Sequence, residues 1–298
     1  MTKKPERAFG KFSVAMVTPF TPDGAVDYQS VTRLAKKLVA DGCDTLLCSG
    51  TTGESPTTHQ PEKNKLIETV REAVGDDVFI MAGAGSNDTA HAVRMAKGSA
   101  NSGADGLLVV SPYYNRPSQR GLVEHCKAVT QATDLPVMLY DIPGRTGLAF
   151  SDEALDELSK LDQVVGVKDA TGLIDQGLVR MRRTGLEYYS GDDALNFAWQ
   201  THGASGCVSV VGHLTATQYV HMTDLLDAGK VAEALDISYN LQPLVDAIMG
   251  GGQGAVMVKH ALHLQGVIDY PTVRLPLVQA TDEEVSNLKS VMREFNLL

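Results

Sequence analysis

Residues 164–170 read Val164-Val165-Gly166-Val167-Lys168-Asp169-Ala170. The run is apolar or small without alternation, and it ends on a lysine. A strand wet on one face would alternate, whereas a strand covered on both faces of a parallel sheet reads as one continuous apolar run. The pattern recurs at Phe12–Val17, Asp44–Cys48, Val78–Ala82, Asp105–Val110, Pro136–Tyr140, Leu186–Tyr189 and Cys207–Val211. Amphipathic segments lie between. Val31, Leu34, Ala35, Leu38 and Val39 share one helical face, as do Leu66, Ile67, Val70 and Val74. Ser151 is placed to cap a helix that carries Asp152 and Glu153 in its first turn. Strand and helix alternating eight times predict an α/β chain folded as a (β/α)8 TIM barrel, although a doubly wound open sheet would alternate in the same way.

The 298 residues exceed the roughly 250 of a typical barrel, leaving room for one appendage. From about Lys230 the pattern is helical, and Thr281 with Glu284 forms a capping box before Val285, Leu288, Met292 and Phe295. The expected division is a barrel over 1–229 that carries the active site and a small C-terminal helical domain over 230–298.

Hydrophobic residues at 43% and charged residues at 21% suit a globular chain with its own core. The net charge of −10 includes no basic block of the kind that binds nucleic acid. An anionic substrate would therefore need cations placed locally. No apolar segment approaches the ~18 residues of a membrane span, and the first twelve residues hold no signal core. Cys43, Cys48, Cys126 and Cys207 form no C-x-x-C pair. Cys48 and Cys207 sit in apolar runs as small buried thiols, which fits a reducing cytoplasm.

Chemistry-bearing residues gather where strands end, and in a barrel those ends form the active-site mouth. Lys168 stands out. Desolvation favours its neutral amine, a nucleophile for carbonyl carbon, against the plainer reading of a strand-end lysine reaching to water. Tyr140, at the end of the neighbouring strand, could pass protons or be a core tyrosine. Thr51-Thr52-Gly53-Glu54 could hold a carboxylate on exposed amides or be an ordinary loop. Arg145, after a Pro-Gly turn, suits bidentate carboxylate binding or a surface ion pair. His260 and His263 lack a third ligand and read as a solvated helix face. Gly250-Gly251-Gly252-Gln253-Gly254 lacks the Lys-Ser/Thr of a phosphate loop and reads as a helix–helix turn. No metal and no nucleotide cofactor is expected.

Five segments together carry a resemblance: Gly50-Thr51-Thr52-Gly53-Glu54-Ser55, Pro112-Tyr113-Tyr114-Asn115-Arg116-Pro117-Ser118-Gln119, Tyr140-Asp141-Ile142-Pro143-Gly144-Arg145-Thr146-Gly147, Gly166-Val167-Lys168-Asp169-Ala170-Thr171-Gly172 and Ser190-Gly191-Asp192-Asp193. In this order and spacing, the chain resembles the dihydrodipicolinate synthase and N-acetylneuraminate lyase superfamily over nearly its whole length, and most closely its dihydrodipicolinate synthase branch. The resemblance implies a lyase that needs no cofactor beyond a covalent pyruvate imine on Lys168. It implies a proton relay of Tyr140, Thr52 and Tyr114, with Tyr114 reaching a neighbouring subunit's site. Thr51 and Thr52 would hold the pyruvate carboxylate, the backbone of Gly191 and Val208 would line the pyruvate pocket, and Arg145 would bind L-aspartate-4-semialdehyde. It further implies a homotetramer built as a dimer of dimers. A pyruvate-dependent aldolase of keto-deoxy sugar acids and a non-catalytic keto-acid-binding paralogue are the competing readings. Pro56, Gln60, Lys63 and His91 stand where many members carry a feedback site for lysine, and Lys63 would repel that cation. Asp141 and Asp169 replace a common Asn and Glu, with only small effects expected.

Overall fold

The computed structural model describes residues 7–251 and 253–298; the first six residues and Gly252, both quoted above, lie outside them. Eight strands are present: β1 (Phe12–Ala15), β2 (Thr45–Cys48), β3 (Phe79–Gly83), β4 (Gly106–Val110), β5 (Val137–Asp141), β6 (Val164–Asp169), β7 (Glu187–Ser190) and β8 (Gly206–Ser209). All pair in parallel in sequence order, and β8 returns to β1, so the sheet is a closed barrel and not an open one.

The strand ends differ from the apolar runs for identifiable reasons. Pro136 has no N–H to give the ladder and stays outside β5, while its carbonyl accepts from the Leu107 amide at 2.9 Å. Val210 and Val211 leave β8 because their amides donate to the Asp193 carboxylate at 2.8 and 2.9 Å.

A helix follows each strand: α1 (Tyr28–Ala40), α2 (Gln60–Val74), α3 (Thr89–Asn101), α4 (Gln119–Thr130), α5 (Asp152–Leu158), α6 (Ile174–Thr184), α7 (Asn196–Thr201) and α8 (Gly212–Asp227). The face of α1 read from the sequence buries Val31, Leu34, Ala35 and Leu38 against the barrel. Ser151 caps α5 by accepting from the Ala154 amide at 3.2 Å. The core has two layers, as strand periodicity requires. One lies between strands and helices. The other fills the barrel with Phe9, Ala15, Leu47, Met81, Leu108, Met138, Tyr140, Tyr189 and Val208.

Beyond the barrel, α9 (Val231–Val245) runs through a π-turn at Asp246–Gly250 to α10 (Gly254–Leu264), and α11 (Asp282–Glu294) begins at the Thr281–Glu284 capping box. The helical expectation fails between 265 and 281. That stretch holds Pro271 and Pro276, and its polar groups turn to the barrel: Thr272 O accepts from Lys259, and Arg274 binds Gly24 O, Thr57 O and the Glu62 carboxylate. His260 is also not on a solvated face. It is buried, and its Nε2 accepts from the Ala280 amide at 3.3 Å.

The outward side of the β5–β6 pair holds an unexpected acidic couple. Asp141 and Asp169 are partners in register, both buried. Asp169 accepts from the Thr171 amide and hydroxyl, but among the described residues neither Asp141 oxygen has a partner of hydrogen-bond geometry. Burial, then the charge of Asp169, pushes the Asp141 carboxyl up to about 7; Arg180 Nη1 at 3.7 Å offsets this only in part. The folded chain thus keeps a proton that the unfolded chain has lost. The resulting penalty begins near pH 4, grows with pH and is complete above pH 7. Asp141→Asn is expected to stabilise the protein by about 2–4 kcal/mol at pH 8 and by little at pH 4. Denaturant unfolding at the two pH values measures this, and equal effects at both would count against it.

Candidate functional site

Alternation along β6 turns Gly166 and Lys168 inward while Val167 and Asp169 face the helices. The parallel register sets Lys168 beside Tyr140 on β5 and Tyr189 on β7. Lys168 is 5% exposed, and its Nζ lies 4.4 Å from the centre of the Tyr140 ring, whose face attracts a cation. Burial pulls the amine down from 10.5 to about 8, with the buried Asp193 carboxylate opposing. Near neutrality a substantial fraction is therefore free amine. Burial also pushes the Tyr140 hydroxyl up to about 12, so it stays protonated and able to donate.

Asp193 explains why the next strand end is so ordered. Its carboxylate accepts from Ser209 Oγ, from the amides of Val210 and Val211, and from Asn196 Nδ2 at 2.9 Å, tying the loop after β7 to the loop after β8. Gly191 lies in the loop so held. A Cβ there would stand 2.9 Å from Lys168 Cε, so only glycine leaves the lysine its path.

The loop after β2 carries Thr51, exposed, and Thr52, buried. Thr18 Oγ1 donates to Gly53 O at 2.7 Å and holds the turn from below. At Gly83 a Cβ would lie 2.2 Å from the Ser49 carbonyl oxygen, so β3 lets this loop approach only because the residue is glycine. Ser49, Glu54, Tyr114 and Arg116, none of them glycine, take positive φ in the loops after β2 and β4. Such backbone persists only where surroundings hold it, and it concentrates at functional sites.

Arg145 stands on a short helical turn, Pro143–Thr146. Among the described residues no carboxylate lies within salt-bridge distance of it. Thr51, Thr52, Tyr140, Arg145, Lys168 and Gly191 line one chamber of about 300 Å³. A second, more apolar chamber of about 220 Å³ adjoins it through Thr51, Tyr140 and Arg145 and reaches Ser55 and Tyr113.

Two sequence candidates lie elsewhere. Tyr114 lines neither chamber. Its side chain is 89% exposed, at φ +74°, while its amide is fixed on Thr146 O at 3.4 Å. The Val208 side chain packs in the barrel interior, and Val210 is in the chamber wall. The wall also includes Met249, Gln253 and Leu277 from the C-terminal part of the chain, which no motif assigned to the site. Among the described residues no group of three His, Cys, Asp or Glu side chains is placed to hold a metal ion.

The fold and site define a TIM barrel whose mouth carries a desolvated lysine beside a tyrosine and an arginine. The chain matches the dihydrodipicolinate synthetase family over residues 8–295 and belongs to that family. A 4-hydroxy-tetrahydrodipicolinate synthase of Mycolicibacterium paratuberculosis is 48% identical over 289 residues, covering 97% of this chain and 96% of that protein. A lysine-bound dihydrodipicolinate synthase from Cyanidioschyzon merolae superposes with a TM-score of 0.93 at 38% identity, covering 97% of this chain and 99% of that one. A monomeric dihydrodipicolinate synthase variant does so with 0.93 at 35% identity, covering 97% and 98%.

Two outcomes follow from the geometry. Condensation of a small keto acid with Lys168 should quicken about tenfold per pH unit below pH 8 and level off above it, as the free amine accumulates. Gly191→Ala should slow that condensation by about tenfold or more through the displaced side chain. Single-turnover trapping across pH measures both; a flat profile, or an unhindered variant, would contradict them.

Proposed function

We propose that the protein condenses pyruvate with L-aspartate-4-semialdehyde to give 4-hydroxy-tetrahydrodipicolinate, the lyase step that feeds diaminopimelate and lysine biosynthesis. One observation carries the reading. A lysine amine with its pKa near 8 shares a chamber with a protonated tyrosine and the Arg145 guanidinium.

The Lys168 amine adds to the pyruvate ketone, and water leaves to give an iminium. That group withdraws electrons, so the methyl carbon loses a proton and becomes an enamine. The enamine carbon attacks the aldehyde of the second substrate. The amino group of that substrate then attacks the imine carbon, closing the ring and releasing the Lys168 amine. No metal or organic cofactor enters the balance. Tyr140 and Thr52 pass the protons, joined by Tyr114 of a neighbouring copy. Its outward side chain on an anchored backbone supports this role, and with it a homotetramer of paired dimers. Thr51 and Thr52 hold the pyruvate carboxylate, with Gly191 and the strand around Val208 shaping the pocket. Arg145 receives the carboxylate of the semialdehyde, a group that a polyol tail would not supply.

Residues 1–229 serve as the catalytic barrel and 230–298 as the helical domain. No helix among the described residues is long and apolar enough to cross a membrane, and the four buried free thiols support a reducing cytoplasm.

Borohydride reduction in the presence of pyruvate should add a permanent mass to the Lys168 peptide, and Lys168→Ala should remain folded and trap nothing. Arg145→Ala should raise KM for the semialdehyde at least about thirtyfold while pyruvate trapping stays within about threefold. A variant equally impaired for both substrates would remove Arg145 from its role.

Lys63 bears on regulation. It is buried, with Nζ donating to Ser55 Oγ at 2.7 Å, and burial pulls it down to about 8. A cationic effector would meet an unneutralised cation there. L-lysine is expected not to inhibit the purified enzyme; inhibition at physiological lysine concentrations would refute this.

A further inference from the structure

A second buried lysine stands at the barrel mouth, outside the reaction just described. Lys259 on α10 and Glu54 in the loop after β2 form an ion pair whose side chains are 0% and 1% exposed. The other Glu54 oxygen accepts from the Arg274 amide at 2.9 Å, and Lys259 donates to Thr272 O at 2.8 Å. Lys259 Nζ and the Arg274 guanidinium both lie over the Phe20 ring, at 4.1 and 4.3 Å. Arg274 continues to Gly24 O, Thr57 O and Glu62. One cluster thus joins the loops after β1 and β2 to the segment that crosses back from the C-terminal helices.

Its position matters more than its strength. Glu54 follows Thr51-Thr52-Gly53 directly and sits at φ +55°, a conformation it would not keep unaided. A buried pair rarely adds much stability over an apolar replacement, so its presence asks for another use. Gln253 and Leu277, which flank the clasp's own residues in the chain, line the chamber that holds Lys168.

We propose that the Glu54–Lys259 pair is a positioning device, which clamps the Thr51–Thr52 loop to the C-terminal segment in the geometry that receives the pyruvate carboxylate. The proposal rests on the role given above to Thr51 and Thr52. Neither Glu54 nor Lys259 lines the chamber. Lys259→Met leaves the Glu54 carboxylate buried without its cation, and the loop must swing out to hydrate it. Removing both charges spares the loop that burden.

The test compares Lys259→Met with the double variant Glu54→Gln/Lys259→Met. Three quantities are read: amide exchange over residues 49–58, half-saturation of borohydride trapping by pyruvate, and KM for the semialdehyde. Lys259→Met should speed the loop's exchange and raise pyruvate half-saturation about tenfold, with the semialdehyde KM changed less than about threefold. The double variant should restore both to within about threefold of the parent. Should Lys259→Met fail to fold, Lys259→Gln carries the same test, because it too removes the cation and leaves the Glu54 carboxylate in place. Unchanged loop exchange overturns the proposal, and so does a loosened loop with unchanged pyruvate half-saturation. A parent protein that traps no pyruvate sinks the Schiff-base reading instead, while loop exchange still reports on the clasp.

Discussion

The chemistry at the barrel mouth depends on keeping one ammonium group out of water. At pH 7.5 an ordinary lysine is free amine in about one molecule per thousand, whereas a pKa near 8 gives about one in four. That gain of more than two orders of magnitude comes from burial at the end of β6. The tyrosine ring below Lys168 and the carboxylate of Asp193 keep the cost of the charged form from becoming prohibitive. The amine can therefore visit both states, as a group that is first nucleophile and then leaving group must.

The barrel achieves this by separating its polar groups across the strands. Inward positions carry Lys168 and Tyr140 on a bed of apolar side chains. Asp193, behind them, accepts from four donors and so orders two loops. Asp141 is the contrast: an outward, buried carboxyl whose oxygens find no hydrogen-bond partner among the described residues. One acid is part of the site's framework, and the other is a liability that the fold tolerates.

Much of this was legible in the chain. Strand runs and helix faces are local patterns, so Lys168, Tyr140, Thr52, Arg145 and Gly191 could be placed at strand ends before any coordinates. Closure of the sheet was not legible, since an open sheet alternates identically. Nor was the return of 265–281 across the mouth, because Glu54 and Lys259 are 205 residues apart and no short motif links them. The part that Val210 plays in the chamber wall was not legible either, because β8 ends at Ser209 and Asp193 takes over the next amides. His260 was misplaced for want of its acceptor role toward Ala280, another contact across a turn. Tyr114, expected to reach another subunit, leaves its side chain in solvent in the single chain.

The central claim is that Lys168 holds its nitrogen where a keto acid can condense with it. A crystal soaked in pyruvate and solved at high resolution tests it most directly. Unbroken electron density from Nζ to the second carbon of the ligand, planar at that carbon, is the result expected. Pyruvate lying unattached in the chamber, with the lysine side chain turned away to bulk solvent, would contradict it.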